Sequence, residues 1–204
     1  MNRSAVRVLV SDLGQVLLPF DFTGRDERLR ALCRGCHCDP VETLLRLHNQ
    51  MGLTEGRSRA KEFFRRFLHE TNLDLTFEEF ECIYCDRFWE DPRTVSLIAA
   101  TNCPVRVLLT NTDEIHWGWI RKRYPHVVGL FHHTVASCDV GVSKPDEAIF
   151  RHVEQLTARP PEEHLFIDDV PTYVEAAQAC GWHAIPYVGA GPLEEALASL
   201  GLLS

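Results

Sequence analysis

Five short β-rich runs punctuate the chain: VRVLV at 6–10, VRVLLT at 105–110, GLFHHTVA at 129–136, HLFID at 164–168 and HAIPYV at 183–188. Stretches of helical periodicity, among them 113–122, 146–156 and 172–180, separate the later ones. Neighbouring parallel strands need a crossover long enough to hold a helix, so this alternation predicts an α/β fold around a parallel sheet.

The rhythm breaks between Asp21 and Pro92. There DERLRALCRGC, PVETLLRLHNQM, RAKEFFRRFLHE and TFEEFECIYCDRFW each repeat apolar residues at spacings of three and four, the stripe of an amphipathic helix. Asp39-Pro40 reads as a helix start, and Thr76 with Glu79 as a capping box. A helical insert therefore follows the first strand, with hinges expected near 19–22 and 90–95. With 204 residues, 45% of them hydrophobic, the chain has material for a sizeable core.

The formal net charge of -8 offers no general attraction to nucleic acid or to an anionic membrane surface. No segment reaches the ~18 apolar residues of a membrane span, and the first apolar run is too short for a signal sequence, so a cytoplasmic protein is expected. In that setting the eight cysteines are expected to be reduced thiols.

The strands end on polar groups in a consistent way. Asp12 follows the first, Thr110-Asn111 closes the second, Asp168-Asp169 closes the fourth, and Lys144 precedes Pro145 in the loop DVGVSKPDEAIF. Ligands of parallel sheets bind outside the carboxyl ends of the strands, so these residues are expected to converge there. Three carboxylates in one crevice cannot all ionise without cations. Lys144 supplies one positive charge, and a hard divalent ion such as Mg2+, which favours carboxylate and carbonyl oxygens, suits the rest. A site so balanced can accept a phosphate dianion and use a carboxylate as nucleophile.

VLVSDLGQVL, VLLTN, GVSKPDEAIF and LFIDDV, in this order, resemble the four signatures of the haloacid dehalogenase superfamily of phosphotransferases. The resemblance spans nearly the whole chain. It implies a Rossmann-like parallel-sheet core made of residues 1–20 and 93–204, with residues 21–92 as the helical C1 cap. Within the superfamily, the branch holding bacterial α-D-glucose-1-phosphate phosphatases and the N-terminal phosphatase domain of soluble epoxide hydrolase is the most similar. The resemblance implies that Asp12 is the nucleophile that forms an aspartyl-phosphate, that Thr110 and nearby backbone amides hold phosphate oxygens, and that Lys144 neutralises the phosphate and orients Asp12. It assigns Mg2+ to Asp12, Asp169 and the carbonyl of Gly14, with Asp168 behind them or acting through water, and it gives Asn111 the shaping of the phosphate loop. The expected substrate is a small phosphorylated metabolite, such as a sugar phosphate or sugar-1-phosphate.

Two positions depart from the superfamily pattern. Gly14 stands where most of its phosphatases carry a general-acid Asp, and Tyr173 where an Asn is usual. Glycine keeps the backbone carbonyl but removes the proton donor, which penalises poor leaving groups by roughly 10^2 to 10^4-fold and spares good ones such as anomeric and acyl phosphates. The similar glucose-1-phosphate phosphatases also have glycine here. A substitute acid is sought at His37, His48, His69 or His116. A weakened chain kept as a binding or regulatory protein is one alternative, and a metal-independent dehalogenase another, although the paired aspartates argue against the latter.

The pairs Cys33/Cys36 and Cys82/Cys85 have zinc-like spacing, but the second lies within a helical pattern, where cysteines serve as small core residues. Arg57, Arg59, Lys61, Arg65 and Arg66 read as a solvated helix face. The segment LTEGRSR reads as a loop that points at the core site. His132 and His133 are expected on opposite faces of a strand.

Overall fold

The computed structural model describes residues 6–33 and 38–203. In chain order the elements are β1 (Val8–Ser11), α1 (Thr23–Leu32), α2 (Pro40–Met51), α3 (Ala60–Thr71), α4 (Phe77–Cys85), α5 (Pro92–Ala100), β2 (Val105–Thr110), α6 (Glu114–Arg123), α7 (Pro125–Val128), β3 (His133–Ala136), α8 (Ser137–Val140), α9 (Glu147–Thr157), β4 (His164–Asp168), α10 (Pro171–Ala179), β5 (His183–Pro186) and α11 (Ala190–Ser199). The strands form one five-stranded sheet in the order β3-β2-β1-β4-β5, and every pairing is parallel. The expected α/β architecture with a parallel sheet is thus present. The chain runs outward from β1 to β3 on one side, then restarts at β4 on the other. This reversal of direction opens a crevice above the end of β1.

Alternation along the strands makes two apolar layers. Leu9, Leu108, Leu165 and Ile167 pack on one side with Trp117, Ile120, Leu193 and Leu197. Val8, Val10, Val107, Leu109 and Phe166 pack on the other with Phe150, Val153 and Trp182. A third cluster, separate from the sheet, joins α1 to α4 through Leu29, Leu44, Leu47, Phe63, Phe67, Phe80 and Tyr84, and reaches Ile115 of α6.

The helices start where the sequence places caps. Asp39 accepts from the N–H groups of Val41 and Glu42, and α2 closes at Gly52 in the left-handed region (φ 59°). Thr76 and Glu79 form the reciprocal capping box of α4. Asp91, Asp113 and Asp146 cap α5, α6 and α9. The two segments that lead into and out of the four helices hydrogen-bond to each other. Asp21 N–H donates to Arg87 O (3.2 Å), Trp89 N–H to Pro19 O (3.0 Å) and Asp91 N–H to Leu17 O (3.0 Å).

The run at 129–136 is only half strand: β3 begins at His133. Pro125 starts the helical turn α7, and the chain enters the sheet only after Phe131 is buried beneath it. His132 lies before the strand, with Nδ1 accepting from Arg106 N–H (3.0 Å), which corrects the expected strand pair. Among the described residues no helix is long and apolar enough to cross a membrane.

Candidate active site

Ser11 is level with Leu108 of β2 and Ile167 of β4, so Asp12 stands just above the ends of three central strands. Its N–H extends the ladder by donating to Ile167 O (2.9 Å). Lys144, brought in by the loop before α9, places its ammonium 2.7 Å from Asp12 Oδ1, 2.7 Å from Asp168 Oδ2 and 3.1 Å from Leu109 O. Three acceptors meet the three ammonium hydrogens. The Phe166 and Tyr173 rings lie 5.4 and 5.2 Å from the same nitrogen.

Lys144 and Asp168 are buried, and Asp12 nearly so. Burial pushes the Asp12 carboxyl up to about 6, the attraction of Lys144 opposing this and the charge of Asp168 adding to it. Burial also opposes charge on Lys144, but Asp12 and Asp168 outweigh it and hold the ammonium above its usual value. One cation serves two carboxylates, so it gains while the carboxylates remain short of positive charge. Asp169 is half-buried, and its carboxyl is raised by burial and by Asp168.

The carboxylates of Asp12, Asp168 and Asp169 can bring an oxygen each within 4.8 Å of one another. This all-oxygen donor set, with one ammonium against three carboxylates, fits a hard divalent cation such as Mg2+. Asp168 is already committed: Oδ2 accepts from Lys144 and Oδ1 from Val170 N–H (2.9 Å). Asp12 and Asp169 are the freer donors.

Asn111 grips the backbone of Lys144 from both sides. Its Nδ2 donates to Lys144 O (2.8 Å), and its Oδ1 accepts from Lys144 N–H (2.9 Å). It also donates to Tyr173 Oη at 3.3 Å. The residue that departs from the superfamily pattern thus helps to enclose Lys144. Ser137, fully buried, fixes the loop after β2 by accepting from Thr112 N–H (2.9 Å) and donating to Thr112 O (3.1 Å).

Gly14, Thr110 and Asn111 line one wall of a cavity of about 220 Å3, whose other wall comes from the four-helix segment and includes Arg25, His48, Tyr84 and Arg87. Asp113 anchors the floor. It accepts from Tyr84 Oη (2.9 Å), from the N–H groups of Ile115 and His116 (2.9 Å each) and from His116 Nδ1 (2.5 Å). Burial favours protonation of Asp113, but His116, His48 and these donors prevail and hold its carboxyl well below the usual range.

Of the histidines considered as substitute acids, His116 has both ring nitrogens engaged, Nδ1 with Asp113 and Nε2 with Tyr84 O (3.3 Å). His69 lies on a different, outward groove with Arg65 and Arg66. His37 lies outside the described residues. His48 lines the cavity, its Nε2 3.5 Å from Asp113.

The LTEGRSR loop touches the core close to Lys144. Ser143 Oγ donates to Glu55 (3.2 Å), Ala60 N–H to Glu114 (2.8 Å), and Thr54 lines the cavity. Of the basic residues expected on an outer helix face, Lys61, Arg65 and Arg66 lie exposed on α3, Arg66 paired to Glu70, whereas Arg57 and Arg59 precede the helix in the loop, Arg59 paired to Glu114, because α3 begins only at Ala60. Arg25 and Arg87, which face the cavity, carry no motif and emerge only in three dimensions. The one trace of them in sequence is a pair of aromatic clusters, Phe20 with Phe22 and Phe88 with Trp89, at the two crossings.

Cys33 is disulfide-bonded, which corrects the expectation of uniformly reduced thiols, and Cys36 lies outside the described residues. A bonded sulfur supplies no thiolate ligand, and Cys85 is a buried core residue whose thiol burial pushes upward, so neither Cys33 nor Cys85 has the character of a zinc ligand.

The family model for haloacid dehalogenase-like hydrolases matches residues 57–181, most of the chain. The chain belongs to the haloacid dehalogenase-like hydrolases. Solved structures agree on the fold. A HAD-like family hydrolase from Porphyromonas gingivalis superposes with a TM-score of 0.82 at 24% identity, covering 98% of this chain and 100% of that one. A HAD family enzyme from Bacteroides thetaiotaomicron, solved in complex with magnesium and inorganic phosphate, gives 0.79 at 23%, with 91% and 96% covered. The 2-haloacid dehalogenase of Pseudomonas syringae pv. Tomato gives 0.62 at 19%, with 89% and 86% covered. The parallel core of this haloacid dehalogenase-like chain is therefore a fold it shares both with a dehalogenase and with a HAD family enzyme solved with magnesium and phosphate.

Proposed function

We propose that this chain is a Mg2+-dependent phosphatase acting on a small phosphorylated metabolite, a sugar phosphate or sugar-1-phosphate, through an aspartyl-phosphate on Asp12. What supports this reading above all is one ammonium, Lys144, set between Asp12 and Asp168 with Asp169 beside them. A dehalogenase attacking carbon needs no such excess of carboxylates.

Lys144 holds the Asp12 carboxylate by one oxygen and keeps it ionised for attack on phosphorus, while Thr110 and the backbone beyond it receive the phosphate oxygens. Asn111 fixes the Lys144 backbone, and Asp168 orients the ammonium. Mg2+, held by Asp12, Asp169 and the Gly14 carbonyl, would offset the repulsion between nucleophile and phosphate. Residues 1–20 and 93–204 act as the catalytic core, and 21–92 as a cap that closes the cavity over it. With no carboxyl at Gly14, the leaving group departs without help from that position, which favours anomeric and acyl phosphates.

The test is phosphate release across a panel of sugar phosphates and sugar-1-phosphates with Mg2+, with Asp12→Asn as the blank. Mg2+-dependent turnover by the native chain and none by the variant is expected. Halide release from a 2-haloacid without added metal overturns the reading in favour of a dehalogenase. No turnover together with no Mg2+-dependent fluoride complex on Asp12 overturns it in favour of a binding protein.

A further inference from the structure

Arg87 is placed in an unusual way for a cation. It follows α4 on the cavity wall, and its Nε and Nη1 are buried without a hydrogen-bond partner. Among the described residues it makes no ion pair. Its guanidinium lies 4.0 Å from the centre of the Phe22 ring, 4.9 Å from that of Phe20 and 5.0 Å from that of Phe88. These rings hold the group in place, but they do not satisfy its N–H groups, which point outward in the guanidinium plane.

A second guanidinium shares this support. Arg25, 3% exposed, sits 4.4 Å from the Phe22 ring and pairs with Asp26 at 2.7 Å. Its charge is met, whereas that of Arg87 is not. Asp113, the buried carboxylate of the same cavity, is occupied by Tyr84 and His116. Burial, with the like charge of Arg25 adding to it, lowers Arg87 to about 10, so it remains a cation at neutral pH. Asp113 attracts this partly buried cation from a distance but makes no hydrogen bond to it, and buried guanidinium N–H groups without a partner are costly, whereas a side chain serving only to fill this aromatic corner needs no charge.

We propose that Arg87, supported by Arg25, is a second anion subsite that receives an oxyanion of the substrate other than the transferred phosphate. The inference rests on the phosphatase reading, in which Thr110 and Asn111 of the opposite wall, together with Lys144, hold the reacting phosphate. A cavity of about 220 Å3 spanning both walls admits one short molecule with an acidic group at each end. The substrate class is thereby narrowed to phosphate esters that carry a carboxylate or a further phosphate, such as phosphorylated sugar acids or sugar bisphosphates. A carboxylate fits the small volume better. Arginine suits either group, because its planar donors match oxyanions and its charge strengthens the hydrogen bonds.

Three linear probes test the idea with Mg2+ present: propyl phosphate, 3-phosphooxypropanoate and propane-1,3-diol bisphosphate. The native enzyme is expected to prefer one of the doubly anionic probes over propyl phosphate by roughly tenfold or more in kcat/KM. Whichever ranks first identifies the second oxyanion as carboxylate or phosphate. Arg87→Met keeps the packing against the rings and is expected to reduce that preference to about twofold, mainly through KM, while Arg87→Lys retains part of it. Arg65→Met, on the outer face of α3, should leave the preference as it is.

Equal kcat/KM for all three probes in the native enzyme overturns the proposal. So does an Arg87→Met variant that slows every probe by the same factor, the mark of a purely structural role. If none of these alkyl esters is hydrolysed, as the lack of a carboxyl at position 14 allows, the phosphatase reading is judged by the sugar-1-phosphate panel alone, and calorimetry decides the subsite. Tighter binding of 3-phosphooxypropanoate or the bisphosphate than of propyl phosphate, lost in Arg87→Met, supports it, and equal binding refutes it.

Discussion

Restoring a carboxyl at position 14 tests the leaving-group argument most directly. Gly14 is not in the left-handed region, so Gly14→Asp meets no backbone strain. The obstacle is contact: a Cβ there comes 3.0 Å from Phe20 Cε1 and 3.7 Å from Cδ1. The Phe20 ring is flanked by Phe22 (5.2 Å) and Phe88 (5.6 Å), both edge-on, and by the Arg87 guanidinium, so it can yield only a few tenths of an ångström. Overpacking of this kind costs about 1 kcal/mol. For a chain of this size that is a fall in Tm of about 2–4 °C. Against this, a positioned acid is worth roughly 10^2 to 10^4-fold when the leaving group is an alkoxide and little when it is a carboxylate. Steady-state phosphate release from propyl phosphate and acetyl phosphate, both with Mg2+, should show the ratio of their kcat values rising by at least about tenfold in Gly14→Asp. Adding Phe20→Leu should restore the lost Tm. The same fold-change on both substrates would refute the missing-acid reasoning, since a merely better or worse active site scales both alike.

Two further outcomes follow from the cavity floor and from the loop that docks on the core. Asp113→Asn removes a buried, charged acceptor and should destabilise the protein by about 2–3 kcal/mol in chemical denaturation. Because the folded carboxyl is held below its ordinary value of 3.8, its stabilisation is fully present above that pH and is lost as pH falls toward the folded value. The gap between native and variant should therefore shrink below about 4; a gap as large at pH 3 as at pH 5 contradicts this. Gly56→Ala should undo the docking of the LTEGRSR loop, since Gly56 has φ +62° and an added Cβ falls 2.1 Å from Cys138 O, a backbone atom that cannot turn aside. The left-handed conformation alone costs about 1 kcal/mol for alanine, and relieving the overlap moves the loop away from Ser143. A fall in kcat/KM with faster amide exchange at residues 52–59 is expected, and unaltered exchange there speaks against it.

The core was legible because its information is local. Hydrophobic runs of strand length, each closed by a polar residue, define β1, β2 and β4, and side-chain caps such as Asp39, Thr76 and Asp91 mark helix starts without tertiary help. Where local signals compete, periodicity alone does not settle the structure. At 129–136 an apolar run looked continuous, but the turn begun by Pro125 takes up its first half and leaves only His133–Ala136 to pair with β2. Cysteine spacing was equally uninformative, since the bonded state of Cys33 and the burial of Cys85 depend on neighbours.

The same division runs through the site. By itself the sequence determined that Asp12, Thr110 and the paired aspartates end up above β1, because parallel topology carries these strand ends to one edge, whereas Lys144 reaches them on the loop before α9. Only the tertiary structure decided how they share charge: Lys144 bonded to both Asp12 and Asp168, Asn111 clamping its backbone, and Tyr173 closing over it. It alone brought Arg25 and Arg87 to the cavity wall in place of the basic residues of α3. Helical periodicity tells which face of a helix is apolar, but not which polar residue beyond its end turns inward; that depends on how the segments 17–21 and 87–91 pair as the chain leaves the sheet and returns to it.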